Sequence, residues 1–116
     1  MTIIENLKAW GANTEMGIKR CANSEALYLR LVNMVPKNDG FEKLEAAIVA
    51  NNLEDAFQAA HGLKGILSNL ELSPLLNLIY EITELLRNKT NMDYSNLMKK
   101  IKDEKAEFDK IVLGNN

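Results

Sequence analysis

Apolar residues recur every three or four positions through most of the chain, the spacing of amphipathic helices, and there is no alternation of the kind a half-buried strand shows. Ile3, Ile4, Leu7 and Trp10, within Met1 to Trp10, predict a brief N-terminal helix that ends at Gly11 and lays Trp10 on the main body. Asn13 or Thr14 is placed to cap a second short turn carrying Met16, Ile18 and Cys21. Ser24 stands at the N-cap of a stripe made of Leu27, Tyr28, Leu31, Met34 and Val35. Pro36 and the polar residues that follow it, up to Gly40, interrupt or bend that helix. Helical spacing then resumes at Phe41, Leu44, Ala47 and Ile48, so two helices and one kinked helix both fit.

The next helix is predicted over Leu53 to Leu70, with Leu53, Ala56, Ala60, Leu63, Leu67 and Leu70 as its stripe. Ser73 and Pro74 open another, since proline loses no intrahelical hydrogen bond at the first helical position. Its apolar series is Leu75, Leu78, Ile79, Ile82, Leu85 and Leu86, stopping in the polar stretch Arg87 to Asn91. Asp93 is placed to cap the last helix, where Glu104 interrupts the series Leu97, Ile101, Phe108 and Ile111. Short loops favour antiparallel neighbours, so a compact helical bundle forming one domain over residues 1–116 is expected.

Charge and cysteine usage narrow the function. The 14 Lys+Arg against 16 Asp+Glu leave a formal charge of -2, with no basic footprint for nucleic acid. Cys21 has no second cysteine to pair with and reads as a small buried residue in a protein of the reducing cytoplasm. Neither a signal peptide nor an apolar span of roughly 20 residues is present, so no membrane role is expected. A monomer is the default for such a bundle.

The candidate chemistry lies between Glu54 and Ile66, where His61, the single histidine, is followed by Gly62, Lys64 and Gly65. Each helical glycine costs about 1 kcal/mol relative to alanine, so a pair calls for a reason other than helix formation. At roughly 100° per residue, Phe57, Lys64, Gly65 and Ser68 all fall within about 60° of His61. Ala56, Ala59, Ala60, Leu63, Ile66, Leu67 and Leu70 gather on the other side. The imidazole is therefore expected to face away from the core. A neutral imidazole offers an unprotonated ring nitrogen as nucleophile, and in-line phosphoryl transfer needs open access and a cation near the equatorial oxygens. Exposure supplies the first and Lys64, one turn away, part of the second. A metal site would need ligands that one histidine and one distant cysteine do not provide. No glycine-rich nucleotide-binding segment accompanies them.

The run His61-Gly62-Leu63-Lys64-Gly65, with Phe57, Ala59 and Ala60 before it and Leu67 to Leu70 and Ser73-Pro74-Leu75 after it, resembles the histidine-containing phosphotransfer (HPt) family. The resemblance implies an all-α fold, an antiparallel four-helix bundle with an additional short N-terminal helical segment. It implies a phosphocarrier, without autonomous kinase activity, that accepts a phosphoryl group from a receiver-domain phospho-aspartate and relays it to another receiver. By the same resemblance His61 is the phosphoacceptor, Lys64 holds the phosphoryl group and Gly65 admits the partner. Phe57, Gly62 and Ser68 are the flanking partner-binding candidates. Response-regulator receiver domains are the implied partners, with a hybrid histidine kinase as a further one. No cofactor of its own is implied; Mg2+ belongs to the partner receiver. Many members of the family carry glycine ten positions after the histidine, where this chain has Glu71. A histidine-kinase dimerisation hairpin fits less well, because its histidine is usually followed by an acidic residue rather than Gly62. The competing readings are a non-catalytic helical module that docks receiver domains and a structural helical subunit.

Overall fold

The computed structural model describes residues 2–114, and among them all regular structure is helical. Met1, which the N-terminal pattern included, lies outside the described residues, as do Asn115 and Asn116 at the far end of the expected domain. Helix α1 (Ile3–Trp10) starts in a capping box: Glu5 N–H donates to Thr2 Oγ1 (3.1 Å) and Thr2 N–H to Glu5 Oε1 (3.0 Å). Asn13, not Thr14, caps α2 (Thr14–Arg20), accepting from Met16 N–H at 3.2 Å, while Thr14 is buried. Ser24 caps α3 (Glu25–Met34) through Leu27 N–H at 3.1 Å.

Pro36 does separate two helices. The chain passes through a single 3-10 turn at Val35–Lys37 before α4 (Gly40–Val49) begins. Helix α5 (Leu53–Asn69) carries the histidine, α6 (Ser73–Arg87) has Pro74 in its first turn, and α7 (Ser95–Leu113) is the longest. The N-cap of α7 is Tyr94 rather than Asp93; Asp93 stands one residue earlier and its Oδ1 accepts from Ser95 N–H, two residues on, at 2.9 Å.

Helices α4 to α7 form the four-helix bundle, with α5 packed along both α4 and α6, and α6 along α7. Helix α7 closes the assembly against α1, α3 and the 3-10 turn. The buried side chains make one cluster, with Tyr28, Leu44, Leu63, Leu67, Ile79, Ile82 and Phe108 among its fully enclosed members. Cys21 is buried in it as a free thiol.

Two apolar positions differ from the sequence-based expectation: Ile66, expected on the side of α5 away from His61 and in the core, is 39% exposed, and Met34 of the α3 stripe is 62% exposed. Helix length explains Ile66: α4 begins at Gly40, whose Cα lies against Leu63, so the last two turns of α5 run past the end of α4. Met34 closes α3 just before the 3-10 turn and lines the same open apolar groove as Ile66.

Glu104, the break in the α7 stripe, is explained by a partner. Trp10 Nε1 donates to Glu104 Oε1 at 2.6 Å while the indole packs on Phe108, ring centroids 5.5 Å apart. An indole N–H that is half-buried needs an acceptor, and Glu104 supplies it where an apolar residue would not.

Candidate functional site

Helix α5 is capped at its start by Asn52, which accepts from Asp55 N–H at 3.1 Å. It is closed at its end by a left-handed residue, Glu71 (φ 56°), with Leu72 N–H donating to Leu67 C=O at 3.1 Å. Ala56, Ala60, Leu63 and Leu67 are buried along one face, which holds the helix against α4 and α6. The opposite face carries His61, which is exposed.

Around His61 the residues named from the sequence separate into two directions. Phe57, one turn before it, stacks on the imidazole with centroids 5.6 Å apart and planes inclined by 22°. Lys64, half-buried, and Gly65, exposed, lie one turn after it and Ser68, half-buried, two turns after it, and these three line a shallow groove towards α6. Gly62 is also exposed but turns the other way, into the groove between α4 and α5. A Cβ built on Gly62 or on Gly65 would meet nothing within 4 Å, so neither glycine is required by the packing of this chain.

Three further side chains at this face were not identified from the sequence. Tyr80 on α6 lies under Lys64, with Nζ 5.4 Å from the ring centroid. Arg87, at the end of α6, lies over Phe57 at 5.0 Å. Arg20 of α2 reaches the far end of the Lys64 groove and pairs with Glu71 at 3.2 Å. Of these cations Arg20 is paired with Glu71 and Arg87 with Glu84 (3.2 Å), which leaves Lys64, one turn from His61, without an ion-pair partner among the described residues. The periodicity of α6 marks Tyr80 and Arg87 as lying off its apolar stripe, but their partners depend on the register between α5 and α6.

No group of three or more His, Cys, Asp or Glu suited to a metal ion occurs among the described residues. None of the described helices is long and apolar enough to cross a membrane. The arrangement is an exposed imidazole, stacked on an aromatic ring and one turn from a lysine, on a surface left bare by two glycines.

Comparison with known proteins agrees with the fold. The family model described as Hpt domain matches residues 38–110, from the end of the 3-10 turn to late in α7, leaving α1 to α3 outside the match. No match was found among curated proteins or among solved structures. Domains of the matched family are phosphocarriers without kinase activity of their own, working with receiver and hybrid-kinase domains. With the match covering more than half of the 116 residues, the chain belongs to the Hpt domain family and has a phosphorelay role.

Proposed function

We propose that His61 is the phosphoacceptor of a His-Asp relay, taking a phosphoryl group from the phospho-aspartate of one receiver domain and passing it to another. The observation that carries this reading is the exposed imidazole on the matched helix, with open space over both neighbouring glycines. In the forward step a free ring nitrogen attacks phosphorus and the P–N bond forms as the acyl phosphate O–P bond breaks. The aspartate leaves as a carboxylate, and the same geometry serves the reverse step.

Phe57 holds the imidazole plane by stacking, so less orientational freedom is lost when the partner docks. Lys64 brings a cation that reduces the charge on the equatorial oxygens, and Gly65 lets the receiver backbone approach. Ser68 borders the same groove as a hydroxyl that can donate to the phosphoryl group, and Gly62 extends the bare surface towards α4. The partner supplies Mg2+ and the acidic pocket, and the chain acts as a monomer with no cofactor of its own.

The test is labelling by a receiver domain charged with acetyl phosphate. Native protein is expected to acquire acid-labile phosphate at His61, and His61→Gln none. Full labelling of His61→Gln would defeat the assignment; no labelling of native protein across a broad receiver panel would favour a module that docks receivers without transfer.

A further inference from the structure

The seam between α5 and α6 contains an aromatic group that phosphoryl acceptance at His61 leaves without a role. Tyr80 is 55% exposed, and the Lys64 amine rests 5.4 Å from its ring centroid. Lys64 takes part in no ion pair among the described residues, so this ring is the partner its charge has. Arg87 over Phe57 repeats the contact further along the seam. Phe57 and Lys64 are about two turns apart on α5, as are Tyr80 and Arg87 on α6. Antiparallel packing therefore sets the aromatic ring of one helix against the cation of the other at both places, with His61 between them.

We propose that Tyr80 is a positioning residue, the resting dock of the Lys64 amine, from which the amine is released when His61 carries a phosphoryl group. The proposal rests on the reading of His61 as phosphoacceptor. An exposed cation–π contact raises the docked population about two- to five-fold. A charge-assisted hydrogen bond to a phosphoryl oxygen exceeds that by about ten-fold. The ring therefore holds the amine at the α6 edge while His61 is bare and yields it afterwards. Because dock and phosphoryl group compete for one amine, Tyr80 lowers the share of phosphohistidine at equilibrium with a receiver. A residue that only contacted the receiver would change the forward and reverse rates together and leave that equilibrium where it was.

The experiment uses the full chain and two readouts. The first is the NMR position of the Lys64 Hε protons, which a ring face moves upfield. The upfield position is expected in native protein and in Tyr80→Phe, and not in Tyr80→Leu. Phosphorylation of native protein with phosphoramidate is expected to return it to the ordinary lysine position. The second readout is the equilibrium of transfer with a receiver, expected to move about two- to five-fold towards phosphohistidine in Tyr80→Leu and to return to the native value in Tyr80→Phe. The dock is overturned if native and Tyr80→Leu give the same Lys64 shift, and the release if the shift persists on phosphorylated protein. An unmoved equilibrium in Tyr80→Leu overturns the competition. Absence of any phosphate on His61 by mass spectrometry would instead sink the phosphoacceptor reading and the release with it, while the dock would still be decided by the spectrum of the free protein.

Discussion

Gly17, inside α2, and Gly65, inside α5, lack a side chain for opposite reasons. A Cβ at Gly17 would collide with the Tyr28 ring and come within 2.8 Å of the Leu70 carbonyl oxygen, whereas at Gly65 it would meet nothing. Gly17→Ala is therefore expected to destabilise by about 1–3 kcal/mol through overpacking. Gly65→Ala is expected to stabilise by about 0.5–1 kcal/mol by removing the helix penalty, both read from urea unfolding. The larger Gly65→Gln should spare the fold and slow phosphotransfer; unchanged transfer kinetics would remove the role of bare backbone in docking. Glu71 is the third case. It occupies the left-handed position (φ 56°) where glycine carries no Cβ penalty, and its backbone carbonyl accepts from Asn13 N–H at 3.0 Å. Its carboxylate is compensated by Arg20 at 3.2 Å, an ion pair partly open to solvent. Glu71→Gly should relieve more strain than the pair contributes, for a net gain of up to about 1 kcal/mol in urea unfolding. A loss of stability there would show that the Arg20 contact is worth more than surface pairs usually are.

Helix α7 shows how one element is tied to several others through polar groups on an amphipathic face. Glu104 accepts from Trp10 of α1, and Lys102 pairs with Glu45 of α4 at 2.7 Å. Lys105 pairs with Asp109 at 2.7 Å while its amine lies 5.2 Å from the Phe41 ring centroid and 3.5 Å from the Pro36 carbonyl oxygen. Asp109 Oδ1 is buried with no hydrogen-bond partner, so the lysine is the main compensation for that carboxylate. Lys105→Met keeps most of the aliphatic stem and removes the charge. It is expected to cost about 1–3 kcal/mol, with Lys105→Met/Asp109→Leu recovering part of the loss in a double-mutant cycle. Glu104→Leu, which completes the apolar stripe, is expected to destabilise by about 1–2 kcal/mol because it strands the indole N–H. Trp10 fluorescence in the same unfolding experiment would follow α1 directly.

At the scale of the molecule, α1 to α3 brace the end of the bundle where α5 turns into α6. Their central member is Tyr28, fully buried, whose hydroxyl donates to the Leu70 carbonyl at 3.1 Å. Burial pushes the phenol up to about 12, with smaller contributions from Cys21 and Glu71. The folded state thus keeps a proton that an unfolded tyrosine loses from about pH 10 upward. The stabilisation is complete below the unfolded value and is lost as pH rises towards the folded one. Stability is expected to fall between about pH 10 and 12, and less steeply in Tyr28→Phe, which itself costs about 1 kcal/mol at neutral pH. Equal slopes for the two proteins would remove Tyr28 as the cause.

The all-helical class, the buried faces of α5 and α6, the cap at Ser24 and the outward direction of His61 were legible in the chain, because each depends on spacing within one helix or on a neighbour three residues away, whereas at the start of α2 Asn13 and Thr14 fitted alike. Whether Pro36 kinked a helix or ended it was open to both readings, since the 3-10 turn packs on α7, an element distant in the sequence. Tyr80, Arg87 and Arg20 came to the face of His61 through the register of α5 on α6 and the docking of α2, which no local periodicity encodes. The exposure of Ile66 followed from where α4 starts, and the place of Glu104 from where α1 lies. Local spacing determined which way each helix turns its side chains; only the assembled bundle decided which of them meet, because contacts between helices depend on length, register and crossing, and these are set by packing all the faces at once.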